Sequence, residues 1–227
     1  MSKTDRTEDR RGGFYWLDEK PYVSVTTVLK VLDRPAIRYW FGKEVYIAMV
    51  KDPTLTEGEA LSAPYKTSGK AQERGKTVHS IVEAYKTTGA KIEGVAEEFA
   101  GYAKAFYSWA ADNNIKVLES EKTVISEKYM FAGTLDLLVH TGQKRLLIDI
   151  KTGKDIYPEA ALQLSAYRQA LQENSEPVDG MGVVLLREDG TYKFEEQKPI
   201  FEVFLLVKGV WEWQNAGLCG KVGYGHT

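Results

Sequence analysis

Residues 131–152 read FAGTLDLLVHTGQKRLLIDIKT. Apolar residues alternate on both sides of Gly142-Gln143, which predicts two strands joined by a two-residue turn, with glycine at the first central position as a II′ turn requires. If Thr141 pairs with Lys144, then Val139 meets Leu146, Leu137 meets Ile148 and Leu135 meets Ile150, giving one wholly apolar face. On the opposite face the same register sets Asp136 across from Asp149, with β-carbons about 4.5–5.5 Å apart, and Thr134 across from Lys151.

Two carboxylates held opposite each other repel, and one of them gains affinity for a proton unless a cation lies between them. Hard oxygen donors suit Mg²⁺ or Mn²⁺, ions that also engage phosphate groups, so the expected substrate is a phosphate ester. Lys151 points the same way as Asp149 and is placed to orient or help deprotonate an attacking water and to offset the charge that develops on phosphate. An Asp-x-Lys on a strand also arises as a solvated surface ion pair, so the reading needs further residues.

Those residues come from either side. Arg74-Gly75 precede His79 on a predicted helix, with Glu83 one turn later on the same face, and an imidazole can complete a metal shell. Glu119 and Glu121 alternate along the strand before the hairpin, and Glu121 is the favoured extra carboxylate. Gln163 and Tyr167 stand at i and i+4 on the helix that follows, and core or capping roles are open to both.

In order, RGKTVH (74–79), GTLD (133–136), DIK (149–151) and QLSAY (163–167) resemble the motifs of RecB-like exonucleases of the PD-(D/E)xK nuclease superfamily. The resemblance implies a restriction-endonuclease-like core in which His79, Asp136, Asp149 and the backbone carbonyl of Ile150 hold metal and Lys151 assists hydrolysis. It gives Gln163, Tyr167 and Arg74 supporting roles in placing DNA. The single cysteine, Cys219, excludes the four-cysteine iron–sulfur cluster of some relatives and leaves the phage or mitochondrial-maintenance type. The implied activity is a divalent-metal-dependent DNA exonuclease of recombination, replication or repair, acting beside a single-strand annealing protein if phage-encoded. A structure- or sequence-specific endonuclease and a catalytically silent DNA-binding module are the alternatives.

The remaining sequence predicts an α/β chain with a mixed sheet flanked by helices. Residues 1–13 read as a mobile tail and 14–227 as one domain, mainly helical over 14–115 and sheet-containing from 116. FYWLDEKPYVSV gives two extended pieces, Pro35 opens a helix whose aromatics are expected to pack a core, and 51–68 reads as a loop before a long helix. A further helix is expected over 95–113, strands from Lys116, a helix after Pro158, strands around an Asp189-Gly190 turn, and a final helix over 199–216.

Composition narrows the partners. Thirty basic residues against 32 acidic give a net charge of −2, so any DNA contact must come from a local patch. There is no apolar run of about 20 residues and no apolar leader, which predicts a cytoplasmic protein without a membrane partner, in the host cytoplasm if phage-encoded. No segment reads G-x-x-x-x-G-K-[ST], so no use of ATP is expected. Lys66, Lys70, Arg74 and Lys76, with the N-terminal aromatics, offer a wall that admits a strand end, and core packing is open to the same aromatics.

Overall fold

In the computed structural model, residues 8–89 and 91–225 are described. They form the expected α/β architecture, an eight-stranded mixed sheet flanked by helices. Its N-terminal edge is a meander of β1 (Glu8–Arg11), β2 (Phe14–Leu17) and β3 (Lys20–Ser24), closed at Gly12-Gly13 and at Asp18-Glu19, all four with positive φ. Residues 8–13 are therefore strand and turn where a tail was expected, because β2 offers them an antiparallel partner. Residues 1–7 lie outside the described residues.

After a short α1 (Val25–Val28) come α2 (Pro35–Lys51), α3 (Glu57–Thr88) and α4 (Glu97–Asp112). α3 starts at Glu57, well inside the stretch expected to be a loop. Thr56 and Glu59 form a reciprocal capping box that satisfies two orphan donors of the first turn, and Pro64 is carried within the helix. α2 buries no residue at all, against the expectation of core packing. Its apolar positions are spread round the helix, and only the line facing α3 is covered, where Phe41 meets Tyr65 edge-on at 5.3 Å.

The sheet continues through β4 (Ile115–Ser126), β5 (Phe131–Thr141) and β6 (Lys144–Lys151), then α5 (Glu159–Glu173), β7 (Gly180–Leu186) and β8 (Tyr192–Glu196). α6 (Phe201–Gln214) and α7 (Ala216–Val222) replace the one final helix expected, with Asn215 between them. On one face of the sheet α5 and α6 bury Leu164, Phe204 and Trp211 against Leu138 and Leu147. On the other, α3 and α4 bury Val78, Val82, Phe106 and Trp109 against Leu137, Val139 and Ile148. Each such large side chain contributes roughly 1.5–3 kcal/mol, so both faces fix the position of β5 and β6. Among the described residues no helix is long and apolar enough to cross a membrane.

Candidate active site

The hairpin turn and its register are as expected. Gly142 takes φ 58°, and Thr141↔Lys144, Val139↔Leu146 and Leu137↔Ile148 are paired. There the pairing stops. β6 turns its other edge to β7, parallel over Leu146–Lys151, while the start of β5 is taken by β3 through Val23↔Phe131 and Ser24↔Ala132. β4 covers the opposite edge of β5 along its length, so residues 133–136 of β5 border a fork between β3 and β6.

The apolar face predicted as Leu135, Leu137 and Val139 is accordingly broken: Leu137 and Val139 belong to one core and Leu135 to the other. The partner strand is distorted at the same level. The register is kept from Ser120↔Leu137 to Lys122↔Leu135, but the intervening Glu121 and Asp136 drop out of the ladder, and Glu121 sits at φ 49°, a left-handed conformation that a non-glycine residue adopts only where its surroundings hold it. Asp136 thus faces the fork and is not in a ladder pair with Asp149. Its Oδ2 accepts the Ile150 backbone N–H at 2.7 Å, a side-chain substitute for the missing ladder bond.

Around that fork the structure brings together residues from five elements. His79, on α3, donates through Nδ1 to Glu121 at 2.5 Å, while its Nε2 lies 3.7 Å from Asp136 Oδ2. Asp149 is 2% exposed. Lys151 Nζ donates to its Oδ1 at 3.0 Å and lies 2.8 Å from Oδ2, but out of line with it, so Oδ2 is buried without a hydrogen bond. Gln163, on α5, donates to Asp149 Oδ1 at 3.2 Å and to the Tyr167 hydroxyl at 3.4 Å.

The remaining expected residues take different places. Tyr167 is 3% exposed, and its ring lies where a β-carbon on Gly133 would come within 2.3 Å of it. It therefore supports the fork from beneath and is closed to a bound strand. Thr134 is tied to the same region by the Tyr15 hydroxyl at 3.0 Å. Arg74 reaches Thr152 at 3.5 Å and stacks over Tyr102, so it braces the end of β6. Glu83 and Glu121 line an open hollow of about 440 Å³ with His79, and Glu119 is drawn off to Lys86.

Sequence reading missed the other side of the site. A cleft of about 470 Å³ joins Lys151 and Gln163 to Thr26, Lys30 and Arg34. These basic residues stand more than a hundred positions before Lys151 without a motif, and only the docking of β3 onto β5 carries them there.

The electrostatics follow from burial and crowding. Burial first, and the Asp149 charge second, push Asp136 up to about 7 against the pull of His79 and Lys151. Burial works against a charged His79, but the Glu121 hydrogen bond and the Asp136, Glu121 and Asp149 charges outweigh it and hold the imidazole above its ordinary value. Burial likewise opposes a charged Lys151, and Asp149 and Asp136 reverse the effect, keeping it an ammonium.

The donor set fits a divalent cation. One ligand atom each from His79, Glu121 and Asp136 lies within 4.8 Å of the others. His79 Nδ1 is engaged by Glu121, and Nε2 lies 3.7 Å from Asp136 Oδ2, so a cation that displaces the shared proton can take one lone pair from each. Asp149 adds a buried oxygen without a hydrogen bond.

No curated protein matches the chain in sequence. Among solved structures, an alkaline exonuclease (LHK-Exo) from Laribacter hongkongensis is 12% identical, with 90% of each chain covered and a TM-score of 0.45. The same protein in complex with dAMP gives 15%, 89% of this chain, 93% of that one and 0.40. A protein designated SSO0001 gives 16%, 85%, 75% and 0.42. Residues 99–206, which hold Glu121, Asp136, Asp149, Lys151, Gln163 and Tyr167, match the family model of the PD-(D/E)XK nuclease superfamily.

Proposed function

We propose that this chain is a divalent-metal-dependent deoxyribonuclease that hydrolyses phosphodiester bonds from DNA ends, in recombination, replication or repair. The observation that carries the reading is the fork itself. Asp136 and Asp149 are buried beside each other, with His79 above and Lys151 within hydrogen-bond reach, where β5 and β6 part.

His79, Asp136, Asp149 and the Ile150 carbonyl would hold Mg²⁺ or Mn²⁺, with Glu121 orienting the imidazole through Nδ1 or adding a ligand. When bound, such an ion supplies Lewis-acid polarisation of the phosphate and acidifies water at neutral pH. The chain's own residues do the rest. Asp149 and Asp136 favour the ammonium form of Lys151 against burial, which suits it as a cationic donor to the developing negative charge. Gln163 fixes Asp149, and Tyr167 fixes Gln163.

Lys30 and Arg34 border the cleft that leads to Lys151; Arg34 is paired there with Glu159, which leaves Lys30 and Lys151 as the cations offered to a phosphate backbone in a chain of net charge −2. A single-strand annealing protein would be the natural partner of such an enzyme. The test is digestion of linear duplex, linear single-stranded and closed circular DNA with Mg²⁺, Mn²⁺ or chelator, beside Asp149→Ala. Metal-dependent loss of linear substrates alone, abolished by the substitution, is the expected result. Equal cutting of circles would make the enzyme an endonuclease, and DNA binding without any cutting would leave a silent binding module.

A further inference from the structure

The side of α6 turned away from the core exposes a row of large apolar residues. Val203 is 44% exposed, Leu206 72%, Val210 46% and Trp213 78%. Their spacing of three, four and three residues is a heptad seam, the pattern that pairs helices with each other. Phe204, Lys208 and Trp211 are the residues α6 buries, so the row is surplus to the fold. Glu202 is the one charged residue among the exposed positions of α6, and Gly209 has open space around its β-carbon position, which lets a second helix come close.

We propose that this face is the seat of a second copy of the same chain, with α6 packed antiparallel on α6 about a twofold axis level with residue 208. The row is self-complementary in that register: Val203 comes level with Trp213 of the other copy, and Leu206 with Val210. An isologous contact of this kind closes on itself and buries both rows at once. With Leu218 of α7, 41% exposed, the five side chains present on the order of 500 Å², a large part of the roughly 800 Å² each partner gives to a standard interface. Beside Val203 the row runs into an apolar cleft of about 520 Å³ lined by Leu32, Ile37, Tyr157, Leu162 and Ile200, wide enough to receive an indole. A foreign amphipathic helix would need none of the symmetry that this row has.

The experiment is the mass of the full chain in solution by light scattering and sedimentation from about 1 to 100 μM. The expected result is a concentration-dependent species of twice 25.5 kDa, reduced to monomer by Leu206→Glu and by Val210→Lys. Each variant should melt as a monomer with unchanged circular dichroism, since neither side chain supports the core. Mixing the two variants restores a dimer, because the antiparallel register sets the carboxylate introduced at position 206 of one copy beside the ammonium introduced at position 210 of the other. A wild-type chain that stays monomeric throughout overturns the proposal, as does a dimer that Leu206→Glu leaves intact or a mixture that fails to reassociate. Nuclease activity is not a readout, so failure here and failure of the proposed function are distinguishable.

Discussion

The substitution Asp136→Asn tests whether the fork is an electrostatically strained pocket waiting for a cation. Asp136 is held at about 7 in the folded chain against an ordinary 3.8. A raised value favours the protonated form in the fold, so its contribution to stability is complete below about pH 4 and is lost as the pH climbs through about 7. Taking about 1.4 kcal/mol per unit of pKa, the wild-type protein loses about 2 kcal/mol at about pH 5 and about 4 kcal/mol at about pH 8.5 relative to a carboxyl that never ionises. With 11% of the side chain still meeting solvent, these are upper figures. Asparagine keeps an oxygen for the Ile150 N–H and cannot ionise. In chelator, Asp136→Asn should therefore melt above wild type at about pH 8.5 by roughly 5–10 °C, with the gap shrinking toward about pH 5. Scanning calorimetry across that range reads it directly. A gap that is absent or independent of pH would refute the argument that burial and Asp149 crowd this carboxylate.

Adding Mn²⁺ at about a hundred times its dissociation constant should stabilise the wild-type chain by about 2.7 kcal/mol, and Asp136→Asn or Asp149→Ala should forfeit most of the shift in a thermal melt. Glu121→Gln keeps a hydrogen bond to His79 but removes the charge that orients the imidazole, so metal affinity by titration should fall about 10–100-fold with the fold intact. Lys151→Gln should cut kcat by roughly 10²–10³ while leaving DNA affinity within a few-fold, as a donor used chiefly in the transition state would. Gly133→Ala places a β-carbon 2.3 Å from the Tyr167 ring, which must shift; about 1–3 kcal/mol of stability should be lost with a drop in activity that Tyr167→Leu partly restores.

Much of the site was legible because its signals are local. Glycine before glutamine sets the turn, and the turn sets the register that brings Val139 to Leu146 and Leu137 to Ile148. The i, i+4 spacing of Gln163 and Tyr167 put both on one face of α5, where they meet through the Gln163 amide. The errors share one origin. A strand alternation read from one hairpin cannot show that β6 has a second partner, β7, which draws it from β5 beyond Ile148, nor that Glu121 and Asp136 drop out of the ladder between β4 and β5. Aromatic residues spread round α2 look like core until the fold leaves that helix on the surface, with no residue buried.

The sequence by itself therefore determined the chemistry on offer: two aspartates, a lysine, a histidine and a glutamine–tyrosine pair, carried on helices and strands whose periods and turns are set by neighbouring residues. Only the tertiary structure decided how they meet. Pairings between distant strands opened the fork at Asp136, turned Glu121 to His79, sealed Tyr167 beneath Gly133 and brought Lys30 and Arg34 alongside Lys151. Those outcomes depend on which edges and faces are left to bury, a property of the assembled sheet that no short stretch of chain encodes.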